Sequence, residues 1–371
     1  MPNQKIVIIS SLQSFSTAVY MIEALIDLGK DLYVISDLEH PLADTIISGA
    51  FNLPSLLKKN NIHPSLVIFI EGGSMNIFPI GLNELKCLNV WYGIDTHMDF
   101  IKHLQISKVF DVTFIAQLEY VDELKARGIE QVYWLPLGFD QKFTKYHTLD
   151  KKFDVAYVGS INKSINPERH RLLDLLAQEF PNHYFGQASP NEMAKIYAQT
   201  RIVFNMSIKN DINMRIFEAT GSGAVLLTNP IFKNGIEELF KEGEHYLTYS
   251  DEVTLLYRVK ELLADASLQR KIQVSAQEHT LANHTYNHRI KELLTICESS
   301  NVKKIVLSPE AYMMSLLSQG FVGSATNETA ILFRLNQLKG FPRIKSLFVY
   351  ISLRIISKIV IFIEWLKRII N

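Results

Sequence analysis

At 371 residues the chain exceeds a single typical domain of about 100–200 residues, so two separately cored domains are expected. Apolar residues make up 47% and aromatics 11%, which excludes a disordered polar chain. The 38 Lys and Arg balance the 38 Asp and Glu, so the overall field offers nothing for nucleic acid to bind. Cys87 and Cys297 lie far apart with no CxxC or Cys/His spacing. A disulfide framework and a structural zinc are therefore not expected, and a reducing cytoplasm is the default compartment. Met1-Pro2-Asn3-Gln4-Lys5-Ile6-Val7-Ile8-Ile9 lacks a signal-peptide plan and reads as a buried first strand.

Strand signals in the first half fall at Lys5–Ser10, Asp31–Ser36, Ser65–Glu71, Asn89–Ile94, Val112–Gln117 and Val132–Leu137. Several are apolar at consecutive positions, as in strands covered on both faces of a parallel sheet. Thr17–Leu28 and Tyr120–Arg127 carry apolar residues at helical spacing. The alternation predicts a doubly wound α/β sheet. Val7–Phe15 holds no G-x-G-x-x-G, which argues against a nicotinamide or flavin fingerprint there. The P-loop and G-x-S-x-G motifs are also missing from the sequence. Glu71-Gly72-Gly73 closes one strand, and its glycines suit either a close ligand or a tight turn.

The turn Ile94-Asp95-Thr96-His97 follows a buried strand. Asp95 or His97 at such a turn could orient or deprotonate a hydroxyl, which makes both catalytic candidates. Capping of a helix starting near Met98 is the competing reading of Asp95. Asp99 and His103 are four apart and could share a helix face, but no third metal ligand stands out, so no metal is expected.

The pattern restarts at Asp154–Gly159, followed by a helix over Pro167–Phe180 and strands at His183–Phe185, Ile202–Met206, Ala224–Thr228 and Tyr246–Tyr249. Helices from about Glu252 to Ser299 complete the second half. The polar, aperiodic stretch Gly138–Lys152 is the expected linker. The domains are then 1–145 (Rossmann-like), 146–300 (Rossmann-like) and a 301–371 helical extension. The whole is an α/β chain of two Rossmann-like domains facing across a cleft.

Phe204 to Thr228 reads strand, polar loop, helix, glycine stop, strand. Asp211 or Asn213 can cap that helix, and Gly221 and Gly223 suit its exit. If the helix includes Asp211, then Asp211, Arg215 and Glu218 share one face. Its N-terminus favours phosphate, Arg215 offers a fork of donors, and Glu218 can accept both hydroxyls of a ribose. The same spacing also suits an Arg215–Glu218 ion pair on a solvated face.

From Arg343 onward the chain is apolar but interrupted by charges, too often for a membrane span. Arg343, Ser346, Tyr350, Arg354, Ser357, Lys358, Glu364 and Arg368 fall in one sector of a helical wheel. A basic amphipathic helix at an anionic membrane surface is one reading; packing on the first domain or in a dimer is the other. The first would place a cytoplasmic protein at the inner face of the membrane.

Several blocks carry a resemblance. In the second half they are Asp154 to Ser160, Asn205 to Ala219, Asn234 to Phe240 and His284 to Arg289. In the first half they are Trp91 to His97, Phe110 to Gln117 and Trp134 to Gly138. Together they resemble GT-B glycosyltransferases, in particular the CgeB-like branch of spore-maturation-type proteins related to group-1 glycosyltransferases. The likeness spans about the first 300 residues. It implies transfer of a sugar from a nucleotide-diphosphate sugar to an acceptor hydroxyl on a glycan, lipid or protein, with no obligatory cofactor.

In the broader group-1 glycosyltransferases a Glu-x7-Glu motif binds the donor, and its second Glu takes the ribose hydroxyls. Glu218 matches the second position; Asn210 stands at the first, leaving the sugar contact altered or shared with Asp211. The family's first-strand glycine is followed by Arg or Lys. Here Gly159 and Ser160 lead to Lys163, so Lys163, or Lys209 with Arg215, takes the diphosphate; a solvated Lys163 is the alternative. The donor-binding set is Gly159, Ser160, Lys163, Lys209, Asn210, Asp211, Asn213, Arg215 and Glu218, with Arg215 also catalytic. A non-catalytic nucleotide- or sugar-binding protein of the same fold, recruited to a membrane, is the alternative, and a GT-B-type epimerase is a third possibility.

Overall fold

The structure, a computed structural model, describes residues 4–14, 16–73 and 75–305. The helix expected over residues 343–371, and nearly all of the 301–371 extension, lie outside the described residues. The chain packs as two compact units. Of the described residues, one holds those up to Ile115, Tyr120–Tyr133 and those from Ile296; the other holds Ala116–Glu119 and Trp134–Thr295.

The first unit begins with β1 (Gln4–Ile9), α1 (Thr17–Asp27), β2 (Leu32–Ser36), β3 (Thr45–Ile46), β4 (Gly49–Asn52) and α2 (Leu53–Lys59). It continues with β5 (His63–Ile70), β6 (Ile77–Ile80), β7 (Leu88–Gly93), α3 (Phe100–Ser107), β8 (Val112–Ile115), α4 (Glu119–Ala126) and β9 (Val132–Trp134). Seven strands form one sheet in the order β3-β2-β1-β5-β7-β8-β9, parallel from β3 through β8. The consecutive apolar run Leu66–Ile70 of β5 is buried throughout, as a central parallel strand requires. One face packs around Phe69, whose ring lies 5.0 Å from Trp91 and 5.8 Å from Phe110. The short pair β4–β6 and helix α2 have no counterpart among the sequence-based expectations. Their signals are too brief for a periodicity to show.

The second unit follows with β10 (Phe153–Val158), α5 (Pro167–Glu179), β11 (His183–Gly186), α6 (Pro190–Ala198), β12 (Thr200–Phe204) and α7 (Met214–Gly221). Then come β13 (Val225–Thr228), α8 (Ile236–Leu239), β14 (Tyr246–Thr248), α9 (Glu252–Ala264), α10 (Ala266–Asn283) and α11 (Tyr286–Glu298). Its sheet runs β11-β10-β12-β13-β14, all parallel. Asn166, Ser189, Asp251 and Asp265 each cap a helix with the side-chain oxygen. Residues 138–152, expected as linker, contain a 3-10 turn at Gln141–Tyr146.

Each sheet reverses its winding at one place: between β1 and β5, and between β10 and β12. Crevices at the carboxyl ends of such strand pairs are where open α/β sheets bind ligands. Helix α7, which leads away from the second of these, is fixed at its far end. Gly221 packs so tightly that a Cβ there would lie 2.5 Å from Phe139 Cγ. Phe139 is itself bonded through its backbone to His284 and Tyr286. Gly221→Ala is expected to cost about 1–3 kcal/mol through overpacking. A fall in the urea midpoint at unchanged slope measures it; an unchanged midpoint would show that Phe139 moves aside freely.

Candidate functional site

At the switch point of the second unit, β10 ends at Val158 and β12 at Phe204. Arg215, in the first turn of α7, bridges them. Its Nη2 donates to the Val158 carbonyl at 2.9 Å and its Nη1 to Asn205 Oδ1 at 2.8 Å. The guanidinium lies 4.1 Å from the centroid of the Tyr157 ring. Asn205 is fully buried and held in turn: Nδ2 donates to Thr228 Oγ1 at 2.9 Å, and its carbonyl accepts from the Tyr249 hydroxyl. Gly159 passes against this cation. A Cβ there would lie 2.7 Å from Arg215 Nη2 and 2.9 Å from the Tyr157 hydroxyl, and φ is +152°. Only glycine suits both the space and the backbone.

Arg215 thus spends two of its nitrogens on the protein, while Nε is buried without a hydrogen-bond partner. The ion pair with Glu218 suggested by the i,i+3 spacing does not form. Glu218 is half-buried on α7 and, among the described residues, its carboxylate has neither hydrogen-bond nor ion-pair partner. Burial pushes its carboxyl up to about 7, with the nearby Arg215 charge pulling the other way.

Helix α7 starts at Met214, so Asp211 is not on its face, which corrects the shared-face expectation. The reason is local. Lys209 and Asn210 take left-handed conformations, φ +51° and +61°, which turn the chain before the helix can begin. Asp211 Oδ1 instead accepts from the Ile208 N–H, and Ser207 Oγ donates to the Asp211 carbonyl. Asn213 occupies the cap position, but its side chain makes no capping bond and its Oδ1 is buried without a partner. Asn210 Oδ1 accepts from the Phe232 N–H at 3.3 Å.

The loop after Gly159 is shaped by its own side chains. Ser160 Oγ accepts from the Asn162 N–H, Asn162 Oδ1 from Ser164 and Asn166 Oδ1 from Arg169. Lys163 stands exposed on this loop with no partner among the described residues. Lys209 is exposed as well.

In the first unit, Glu71 follows β5 and its N–H donates to the Tyr92 carbonyl at 2.9 Å. As the chain leaves β7, the N–H groups of Ile94 and Asp95 donate to Glu71 Oε2 at 2.5 and 2.8 Å. His103 Nε2 lies 3.0 Å from Glu71 Oε1, and its Nδ1 lies 3.0 Å from Thr96 Oγ1. A proton on Nε2 lets His103 donate to Glu71 Oε1. Gly93 permits this approach, since a Cβ there would lie 2.7 Å from His103 Nδ1. Burial alone would raise the Glu71 carboxyl. His103 and the amides of Asp95 and Ile94 outweigh it and hold the value below the usual carboxylate range.

One reading changes here. Helix α3 begins at Phe100 with Asp99 as its cap, accepting from the Lys102 N–H, so Asp95 does not cap it. Asp95 is exposed and His97 half-buried at the carboxyl end of β7. Asp99 and His103 do not meet as a metal pair, because each is engaged elsewhere. Among the described residues no group of three or more His, Cys, Asp and Glu could hold a metal ion.

Residues 147–295 match the family model described as glycosyl transferase-like. No curated protein matches the chain. Among solved structures, a glycosyltransferase from Rickettsia africae is 11% identical with a TM-score of 0.55, covering 80% of this chain and 98% of that one. Anabaena HepE in complex with UDP and glucose is 13% identical with a TM-score of 0.54, covering 79% and 99%. An alpha-glucosyltransferase in complex with UDP-glucose and DNA containing an abasic site is 12% identical with a TM-score of 0.56, covering 80% and 99%. The chain has the GT-B fold.

Within this GT-B chain, the sequence singles out Glu71 and His103 separately without joining them, and it gives Asn205 and Tyr157 no role of their own. The close approaches at Gly93 and Gly159 show only in three dimensions. Glu71 gives a direct test. Its carboxyl is held lower in the folded chain than in the unfolded one, so its stabilisation is present above the ordinary carboxylate range and lost as pH falls through it. Glu71→Gln should cost about 1.5–3 kcal/mol at neutral pH, the value of hydrogen bonds to a charged group. The gap to wild type should narrow below about pH 4. Urea denaturation at the two pH values measures both; a gap that stays constant would contradict an ionised Glu71.

Proposed function

We propose that the chain is a glycosyltransferase that moves a sugar from a nucleotide-diphosphate sugar to an acceptor hydroxyl. The observation that carries this reading is Glu218. A half-buried carboxylate without a protein partner is costly, and two hydroxyl donors from a ribose would satisfy it. The diphosphate then lies toward the start of α7, where helix N–H groups point outward and the dipole favours negative charge. The Arg215 cation sits at that same end, and the Gly159 turn passes beside it. UDP or UDP-glucose bound in two of the similar structures supports a uridine nucleotide as the first donor to try.

The chemistry needs the leaving diphosphate stabilised as charge builds on it. Fixed N–H dipoles and the Arg215 charge do this without reorganising. Ser160, Lys163, Lys209, Asp211 and Asn213 line the two loops that lead to that end of the helix, with Lys163 able to swing onto a phosphate. Asp95 and His97 are the candidates for orienting or deprotonating the acceptor. The acceptor, on a membrane or cell envelope in the fullest form of this reading, rests on residues 343–371. Among the described residues no helix is long and apolar enough to cross a membrane.

Incubation with a panel of nucleotide sugars tests the proposal through release of nucleoside diphosphate. A protein that binds the sugar nucleotides yet releases none at any enzyme concentration is a non-catalytic binder. Asn210 at the first position of the donor motif favours that second reading. A changed sugar with no acceptor present would point to an epimerase.

Glu218→Ala should weaken UDP binding about 10- to 100-fold, the value of one to two hydrogen bonds to a charged group. A second expectation follows from its carboxyl value of about 7. The ionised fraction that can accept a diol rises about tenfold between pH 6 and pH 8, and affinity should follow it. UDP-glucose is the probe, since its diphosphate does not titrate in that range. Calorimetric titration should show the rise in wild type and a flat profile in Glu218→Gln; equal slopes would remove Glu218 from the ribose site.

A further inference from the structure

Two sequence blocks, Phe110 to Gln117 and Asn234 to Phe240, have no part in the site as described so far. They meet in the second unit. The four residues Ala116–Glu119 follow β8 but pack in the second unit before the chain returns to the first at Tyr120. Gln117 is 1% exposed. Its Oε1 accepts from the backbone N–H of Ile212 at 3.0 Å and from Asn234 Nδ2 at 2.5 Å. Asn234, also 1% exposed, donates from the same Nδ2 to the Asn210 carbonyl at 2.6 Å, and its Oδ1 accepts from the Glu119 N–H.

The surroundings are built for this approach. Gly235 is left-handed at φ +81°, and a Cβ there would lie 2.8 Å from both Leu118 Cδ2 and Trp134 Cη2. Trp134 Nε1 donates to the Ala116 carbonyl at 3.1 Å. These contacts fix the short segment against the Asn234-Gly235 turn.

The loop it holds is under strain. Lys209 and Asn210 both take positive φ, a conformation that persists in non-glycine residues only where the surroundings over-determine it. Residues 210 and 212 are the two points that Gln117 and Asn234 grip, on either side of Asp211. The next residues, Asn213 and Met214, begin α7.

We propose that Gln117 is a positioning residue of the donor site: through Ile212 and Asn234 it holds the 207–213 loop in its left-handed turn and so sets the diphosphate end of α7. The inference rests on the nucleotide reading above. Glu218 lies a full turn further down the helix, whose fold Phe139 and Thr280 secure independently of Gln117. Loss of Gln117 should therefore weaken contacts with the diphosphate and leave those with the nucleoside in place.

The test uses the full chain with Gln117→Met, which keeps the volume and removes the acceptor, and Gln117→Glu, which keeps an acceptor oxygen. Binding of UDP and of uridine is measured by calorimetric competition, and exchange of the 207–214 amides by mass spectrometry. Gln117→Met should weaken UDP about tenfold, the loss of roughly one well-made hydrogen bond, with uridine unchanged. The 207–214 amides should exchange faster, and Gln117→Glu should restore much of both.

If Gln117→Met is unstable, Asn234→Ser removes the bridge to Asn210 and should give the same split. Unchanged exchange of 207–214 overturns the proposal, as does equal loss of UDP and uridine binding. If wild type binds no nucleotide while exchange still responds to Gln117→Met, the nucleotide reading has failed and the strut stands as a loop lock alone.

Discussion

The second unit is organised around a half-buried cation, Arg215. Arg215 joins the ends of two strands that wind in opposite directions from the switch point, through Val158 and Asn205. Withdrawing a guanidinium even partly from water is costly unless its donors are met, and here a carbonyl, a carboxamide and an aromatic face meet most of them. Asn205 can serve only because Thr228 and Tyr249 hold it. The ends of β10, β12 and β13 and the first turn of α7 are therefore set by one network. Gly159 follows as a consequence, since any side chain there would displace the cation. This argues against a fully exposed Arg215 reaching freely for phosphate. Its charge is fixed in place, which suits stabilising a charge that develops nearby.

The first unit uses the opposite sign at its own switch region. Glu71 takes the two N–H groups that the end of β7 would otherwise leave unmet, and His103 and Thr96 extend the chain of bonds. An ionised carboxylate at a sheet's carboxyl end repels a diphosphate and is compatible with neutral hydroxyls. The two units thus differ in electrostatic character where each would meet a ligand: a cation in the 147–295 segment that matches the glycosyl transferase-like model, an anion in the other. That asymmetry fits the proposed division into donor and acceptor sides.

Strand positions were legible because buried parallel strands are apolar without interruption, as in Leu66–Ile70. Helix starts were less so. The helix with Arg215 reads from the sequence as if it could begin at Asp211, yet two left-handed residues delay it to Met214. Nothing in a propensity pattern forbids the earlier start; the grip of Asn234 and Gln117 on the loop decides it. Asp95 and Asp99 compete for the same cap on sequence alone, and Asp99 wins because Thr96 is drawn inward by His103. Glu218 was found by spacing, but its freedom from Arg215 was not, since the partners that claim Arg215 lie ten and 57 residues away.

Asn210 shows how a departure from a motif can have a conformational cause. A glutamate at φ near +60° would be strained, whereas asparagine tolerates it. The side-chain oxygen of Asn210 is taken by Phe232 and its carbonyl by Asn234. The residue is therefore committed to making the turn and has little left for a sugar. Asp211 differs: Oδ1 serves the Ile208 N–H, and no bond among the described residues uses Oδ2. In the proposed donor site the sugar-facing carboxylate is thus displaced by one residue along the loop. Asp211 keeps one carboxylate oxygen without a bond among the described residues, and the altered motif is compatible with catalysis as well as with binding.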